Sequence, residues 1–269
     1  MTGHADRARS AAVSGAAPEA HVHLAGIGMA YGRAGTRFVA LEGVDLAVDR
    51  HEFVSIIGPS GCGKSTVLMI VAGLLQPTEG RVTVGGDAVT RPLTDVGIVF
   101  QRDLLFDWRN VLANVMLQAE MRGLDPVASR ARAMALLARA GLRGFEHRYP
   151  WELSGGMRQR VAICRAMLHD ATLLLLDEPF GALDAITRDQ MNLDLQDIWS
   201  EDRKTAVLVT HSIGEAIFLA DRVVVMGSRP GRVVQVMDID LARPRAVDVR
   251  ESAAFARYQG LLRSAIGHA

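Results

Sequence analysis

Residues 58–66 read GPSGCGKST, with the apolar run EFVSII before them and STVLMIVAGLL, apolar and helix-like, overlapping their end. No other feature narrows the possible folds as much. A strand, then G-x-x-x-x-G-K-[ST], then a helix is the phosphate-cradling arrangement of α/β proteins. The glycines let consecutive backbone N–H groups wrap a phosphate, and the helix start adds a positive dipole end. Lys64 is placed to reach outer phosphate oxygens, and the Ser65 hydroxyl to ligate Mg²⁺. Gly58, Pro59, Ser60, Gly61, Cys62, Gly63, Lys64, Ser65 and Thr66 form the candidate cradle. Cys62 lies at a helix start, which lowers a thiol pKa. It is expected to be a functional bystander whose alkylation blocks nucleotide binding.

A second apolar strand, TLLLLDEP, supplies acid. Four leucines carry Asp177 to the carboxyl end of the strand, where ligands sit in open α/β sheets. Asp177 is therefore the candidate Mg²⁺ partner through water, and Glu178 the candidate general base for an attacking water. Together the two stretches predict a site for ATP with Mg²⁺.

From Val22 onward short apolar strands alternate with helices, which predicts an α/β sheet. The strands are HVHLAGI, VDLAV, FVSIIG, RVTV, VGIVF, TLLLLD, AVLVT and RVVVM, the later ones continuous Val/Ile/Leu runs as in strands buried on both faces. Between about Gln101 and Leu168 helices replace strands. One is RNVLANVMLQAEMRG. The next, DPVASRARAMALLARAG, has Asp125 as N-cap, Pro126 at its first position and Gly141 past its end. Val127, Ala131, Met134 and Leu137 form its expected buried stripe, with Arg130, Arg132 and Arg139 on a solvated face. The expected division is a disordered leader at 1–20, a nucleotide-binding core at 21–100 and 169–230, a helical subdomain at 101–168, and an extension at 231–269. The extension has a strand-like RVVQVMDID and a short helix, AAFARYQGLLRSAI.

The 30 basic and 30 acidic residues balance, which gives no reason to expect a nucleic-acid partner. Two cysteines, Cys62 and Cys164, are too few for a disulfide framework. No apolar run reaches the roughly 18 residues needed to span a bilayer, and the first residues lack a secretory apolar segment. A membrane role would have to come through a partner.

LSGGMRQR, Leu153 to Arg160, resembles the signature motif of the ATP-binding cassette (ABC) ATPases, and other family parts follow in order. Gln101 in VGIVFQRD resembles the Q-loop glutamine, Asp184 in GALDA the D-loop aspartate, and His211 in VLVTHS the switch histidine. Tyr31 in GMAYG resembles the aromatic that stacks on adenine, with Phe38 as a rival for that place. The resemblance implies a P-loop cassette: a RecA-like, mostly parallel sheet core, an antiparallel β part and an inserted helical subdomain. It implies that Gln101 touches Mg²⁺ or the attacking water and that His211 contacts the γ-phosphate. It further implies that Ser154, Gly155 and Gly156 face ATP held by a second copy in a head-to-tail dimer. The short spacing from Lys64 to Ser154 leaves no room for the long coiled coil of DNA-repair relatives, and ribosome-acting relatives carry two cassettes per chain.

The segment QRDLLFDWRNVLANVMLQAEMRGL, with Leu104, Leu105, Phe106 and Trp108, resembles importer ATPases of the nitrate/sulfonate/taurine class, whose relatives also serve pyrimidine-type vitamin precursors. Asp107 departs from that class, where a proline would precede the tryptophan. Membrane permease subunits, an extracytoplasmic solute-binding protein acting through them, and a place on the cytoplasmic face of the inner membrane are implied. An exporter or lipid-releasing motor is the alternative.

Overall fold

The computed structural model describes residues 20–32, 37–181, 183–228 and 230–267. The expected leader lies outside the described residues except for Ala20, which opens the first strand. In chain order the elements are β1 (Ala20–Tyr31), β2 (Phe38–Asp49), β3 (Phe53–Ile57), α1 (Lys64–Val71), β4 (Glu79–Val84), β5 (Asp87–Ala88) and β6 (Val96–Val99). There follow α2 (Val111–Arg122), α3 (Pro126–Arg139), α4 (Gly155–Met167), β7 (Leu173–Asp177), α5 (Ala185–Asp202) and β8 (Thr205–Val209). The described chain ends with α6 (Ile213–Leu219), β9 (Arg222–Gly227), β10 (Arg232–Asp238) and α7 (Ala253–Gly267).

The central sheet has the order β10-β9-β3-β8-β7-β6. Its neighbours are parallel from β9 to β6, and β10 pairs antiparallel with β9. Every residue of β3, β7 and β8 is buried, as expected where both faces of a parallel sheet are covered. On one face Val54, Ile56, Leu173, Leu175 and Val207 pack with α1 and with Val22, Leu24 and Leu41 of a second sheet. That second sheet is antiparallel, in the order β2-β1-β4-β5. The opposite face packs against helices, with Trp199 of α5 edge-on to Phe53 of β3 at 5.4 Å between ring centroids. No helix among the described residues is long and apolar enough to cross a membrane.

The helices α2, α3 and α4 fill the stretch between β6 and β7. Asn110 caps α2 by accepting the Ala113 N–H at 2.8 Å, and Asp125 caps α3 by accepting the Val127 N–H at 2.7 Å. The expected stripe on α3 is wrong. Val127 is 78% exposed and Met134 37%, while Ser129, Ala133, Leu136 and Leu137 are buried. The packed face of α3 carries the small Ser129 and Ala133 beside Leu136 and Leu137, while Val127 and Met134 point out. Leu137 sits on both stripes and is the one position correctly placed.

The helical insertion is seated on the sheet backbone to backbone. A Cβ on Gly97 of β6 would lie 2.5 Å from the carbonyl oxygen of Ala166 in α4. Gly97→Ala should therefore force the strand and helix apart and cost about 1–3 kcal/mol, the usual range for overpacking. The check is the denaturant midpoint, and an unchanged midpoint would refute the close approach.

Candidate active site

Parallel pairing places the carboxyl ends of β3, β8 and β7 side by side. Ile56 pairs with Val209, and Val209 pairs with Asp177. The loop after Ile57, the acids at 177 and 178, and His211 therefore leave the sheet at one edge.

The loop turns at Gly63, whose φ of 91° lies in the left-handed region and whose Cβ would fall 2.5 Å from the Leu41 side chain. Only glycine fits there. The turn ends at the start of α1, where Lys64, 6% exposed, folds back over the loop. Its Nζ donates to the carbonyls of Gly58 (2.9 Å) and Pro59 (3.0 Å). Ser65 Oγ donates to Asp177 Oδ1 at 2.9 Å. Tyr31, Phe38, Ser60, Gly61, Gly63, Lys64, Ser65, Thr66 and Glu178 all line one open cleft of about 310 Å³. Tyr31 and Phe38 are cross-strand partners in the β1–β2 pairing, 41% and 59% exposed, so both candidate aromatics stand at its mouth.

Cys62 corrects the sequence reading. Its side chain is buried, with Sγ turned under Gly58, and burial pushes the thiol pKa up rather than down. The helix dipole and Lys64 favour a thiolate, but the loss of water outweighs them. Only the Cys62 backbone is left to serve the cradle.

Asp177 is 9% exposed, and burial raises its pKa above the ordinary carboxylate value against the pull of the Ser65 hydrogen bond. Glu178 adopts φ 45°, unusual for a residue with a side chain. Its N–H is held by the Val209 carbonyl at 2.8 Å. Its Oε2 meets Gln101 Nε2 at 3.5 Å and His211 Nδ1 at 3.3 Å. Two side chains, 77 and 33 positions away from Glu178, thus converge on one of its carboxylate oxygens. Backbone strain of this kind costs about 1–3 kcal/mol and persists only where the surroundings impose it.

The remaining predicted residues lie elsewhere. Ser154 caps α4, its Oγ accepting the Met157 N–H at 3.3 Å. Gly155 lines a different cleft, with Gln101, Asp103, Leu105, Arg158 and Pro179. A Cβ on Gly156 would come within 3.0 Å of Thr187, so the starts of α4 and α5 are in contact. Asp184 caps α5 by accepting the Thr187 N–H at 3.0 Å, a bond that lowers its pKa.

Sequence reading missed a clamp between α4 and the segment after Gln101. Arg158 Nε pairs with Asp103 Oδ2 at 2.9 Å, and Arg165 donates to the carbonyls of Leu104 (2.7 Å) and Asp103 (2.8 Å). Gln159 donates to the Phe100 carbonyl at 3.3 Å. Polar residues at 158, 159 and 165 of a helix that otherwise buries its side chains were the available signal. The Thr210 hydroxyl–Glu215 carboxylate pair beneath His211 was also missed.

A phosphate loop, a buried acid behind it and a convergent Gln–Glu–His set define a nucleoside-triphosphate-hydrolysing P-loop protein. A family model described as "ABC transporter" matches residues 41–181. An uncharacterized ABC transporter ATP-binding protein of Methanocaldococcus jannaschii is 47% identical over 225 residues, 84% of this chain and 83% of that one. A taurine import ATP-binding protein of Rhizobium johnstonii is 47% identical over 211 residues, covering 78% and 80% of the two chains. The dimeric structure of a bacterial ABC transporter cassette superposes with a TM-score of 0.73 at 34% identity, covering 82% of this chain and all of that one. A second structure of that cassette, in a post-hydrolysis state bound to ADP and Pi, gives 0.72 at 33% identity. The chain belongs to the ABC transporter family and is an ABC ATPase with the cassette fold read from its sequence.

Burial gives Asp177 a testable cost. Its folded-state pKa lies above the unfolded value, so the folded chain binds that proton more tightly. Its contribution to stability therefore falls as pH rises from the ordinary carboxylate range through the raised value, and the full penalty applies at neutral pH. Asp177→Asn should raise the neutral-pH Tm of the nucleotide-free chain by about 1–4 °C, with the gain vanishing in acid. A lower neutral-pH Tm in the variant would reject this account.

Proposed function

We propose that this chain is the ATP-hydrolysing motor subunit of a membrane importer for nitrate, a sulfonate, taurine or a similar small solute. The observation that carries the hydrolytic part is the convergence of Gln101 and His211 on Glu178 beside the Lys64 loop. The solute class rests on likeness to taurine import ATP-binding proteins.

Backbone N–H groups of residues 60–66 wrap the β-phosphate of ATP, and Lys64 exchanges its loop carbonyls for β/γ oxygens. Adenine stacks at the Tyr31 and Phe38 edge, with Tyr31 the preferred platform. The Ser65 hydroxyl and the Asp177 carboxylate offer hard oxygen donors 2.9 Å apart, a pair that fits Mg²⁺. A divalent cation there would neutralise charge on the β/γ oxygens. The raised pKa of Asp177 fits that role, since a buried carboxylate gains most from a cation. Glu178 takes the proton from the attacking water, its strained backbone fixing the carboxylate. His211 and Gln101 orient the water and the γ-phosphate.

Ser154, Gly155 and Gly156 present a hydroxyl and free N–H groups at the start of α4, outside the cleft of their own chain. In a head-to-tail dimer they close over ATP held by the other copy, with Asp184 at the seam. Within this reading residues 21–100 and 169–230 hold nucleotide, and 101–168 carry the motion to the membrane partner.

The partner side is supported by a groove of about 420 Å³ along the edge strand β6, where Val96, Ile98, Phe100, Leu117 and Met121 stand beside Gln118, Arg122 and Arg165. In the loop after Gln101, Trp108, 73% exposed, stacks on Phe106 at 4.8 Å. The buried Asn114 anchors this loop, accepting the Phe106 N–H and donating to the carbonyls of Phe106 and Arg109. A short helix of a permease subunit fits such a ledge. A solute-binding protein acts on the permease from outside, and this chain works from the cytoplasmic face of the inner membrane.

Glu178→Gln should leave ATP binding intact and cut turnover about 10²–10⁴-fold, the usual worth of a general base. Cells carrying wild type or this variant are then compared for uptake of labelled taurine, an alkanesulfonate, nitrate and a pyrimidine precursor. Selective loss of one uptake is expected; unchanged uptake of all four would reject the importer reading.

A further inference from the structure

The segment after β10 contains the most deeply buried cation of the described chain. Arg245 is 2% exposed, and among the described residues its guanidinium donates to backbone carbonyls rather than to a carboxylate. Its Nη1 donates to the carbonyls of Ile217 (2.7 Å), Phe218 (3.0 Å) and Ala220 (2.7 Å). Its Nη2 and Nε turn the other way, to the Leu241 carbonyl at 3.2 and 3.3 Å, with Ile239 at 3.4 Å. Its backbone is locked as well: the Arg245 N–H donates to Gln196 Oε1 at 2.8 Å, and Gln196 Nε2 returns a bond to the Arg245 carbonyl at 2.9 Å.

The carbonyls that Arg245 collects belong to the end of α6. A helix leaves its last carbonyls without intrahelical partners. Here each has one: Ala216 takes the Ala220 N–H at 3.0 Å, Leu219 takes Arg243, and Ile217, Phe218 and Ala220 take Arg245. Arg243 is in turn held by Asp221 at 2.8 Å, and Asp221 Oδ2 accepts the Phe53 N–H of β3 at 2.9 Å. Cations at a helix carboxyl end also meet the negative pole of its dipole. Burial, and then the neighbouring Arg243, pull the Arg245 pKa down to about 10, so it remains charged at neutral pH.

The other end of α6 is knotted to the active site. Ser212 caps the helix, its Oγ accepting the Glu215 N–H at 3.3 Å. The Thr210 hydroxyl bonds the Glu215 carboxylate and accepts the Ser212 N–H at 3.0 Å. His211 lies between the two knotted residues, and its Nδ1 reaches Glu178. A seven-residue helix is marginal by its own hydrogen bonds, so its placement depends on what grips its ends.

We propose that Arg245 is a positioning residue for ATP hydrolysis: by capping α6 from within the core, the 239–245 segment sets that helix and, through Thr210, Ser212 and Glu215, holds His211 against Glu178. The inference rests on the reading of His211 as part of the hydrolytic set. Lys64, Ser65 and the aromatic edge belong to other elements, so the brace acts on turnover and leaves nucleotide affinity alone.

The test is a double-mutant cycle in the full-length chain: wild type, Arg245→Gln, His211→Ala and the double variant, each with ATPase kinetics and Tm. Arg245→Gln should lower kcat roughly tenfold with the ATP KM within about twofold. It should add little once His211 is alanine, because coupled residues are non-additive. An equal loss in both backgrounds, or wild-type kcat at a lowered Tm, overturns the brace and leaves His211 in place. Wild-type turnover in His211→Ala alone overturns the reading of His211 and the brace with it. Should Arg245→Gln not fold, Arg245→Lys keeps the charge but loses the planar fork that spans both sets of carbonyls, and the same cycle applies with the same expectations.

Discussion

The parallel register of β3, β8 and β7 is the constraint from which the active site follows. Each strand contributes a chemical group just beyond its carboxyl end, and the ladder Ile56–Val209–Asp177 sets their spacing before any side chain is chosen. A one-residue slip in a strand exchanges its faces. Slipping β7 would turn Asp177 away from Ser65 and break the 2.9 Å bond between the phosphate loop and the acid. The leucine run of β7 and the Val/Leu run of β8 protect the register because both faces are buried. Packing energy and catalytic geometry are set by the same pairing.

A second dependence runs through α4. Its amino end carries Ser154, while Arg158, Gln159 and Arg165 grip the chain from Phe100 to Leu104. Leu104 has a positive φ of 47°, a conformation that a side chain disfavours and that the Arg165 bond to its carbonyl helps impose. The loop that follows, with its Phe106–Trp108 stack, is anchored on α2. These bonds tie α4 to the chain on both sides of Gln101 and up to the start of the exposed aromatic ledge.

The sheet strands and the strand–loop–helix around residues 58–66 were legible in the sequence because their signals are local: continuous apolar runs, paired glycines and a lysine at a fixed offset. The two-residue β5 gave no such signal. On α3 the period was correct and the face was wrong, since the packed side begins with Ser129 and Ala133 before Leu136 and Leu137, and hydropathy ranks those first two below the outward Val127 and Met134. Cys62 failed differently: the dipole argument was sound, but the direction of its side chain into the core is a tertiary fact. Arg245 was invisible for the same reason. An arginine in a charged tail reads as solvated, and nothing in ARPRA tells that it crosses the core to the end of α6.

Three buried charges of this molecule are placed in a way that bears on what the fold is for. Burial raises the pKa of both Asp177 and Glu215, and Arg245 carries a charge with no carboxylate among its bonded partners. Apolar replacements at such places often leave a protein as stable or more so. Stability alone therefore does not account for them. Asp177 stands where a divalent cation would repay its desolvation, and the other two grip opposite ends of the helix beside His211. Their costs fall along one line, from the phosphate loop through His211 to the carboxyl end of α6, while the second sheet and the α1 face are packed by apolar side chains. Lys204 and Glu146 are also buried, away from that line, so it is these three charges that mark groups held in one place, while the apolar remainder of the core supplies the stability that their placement consumes.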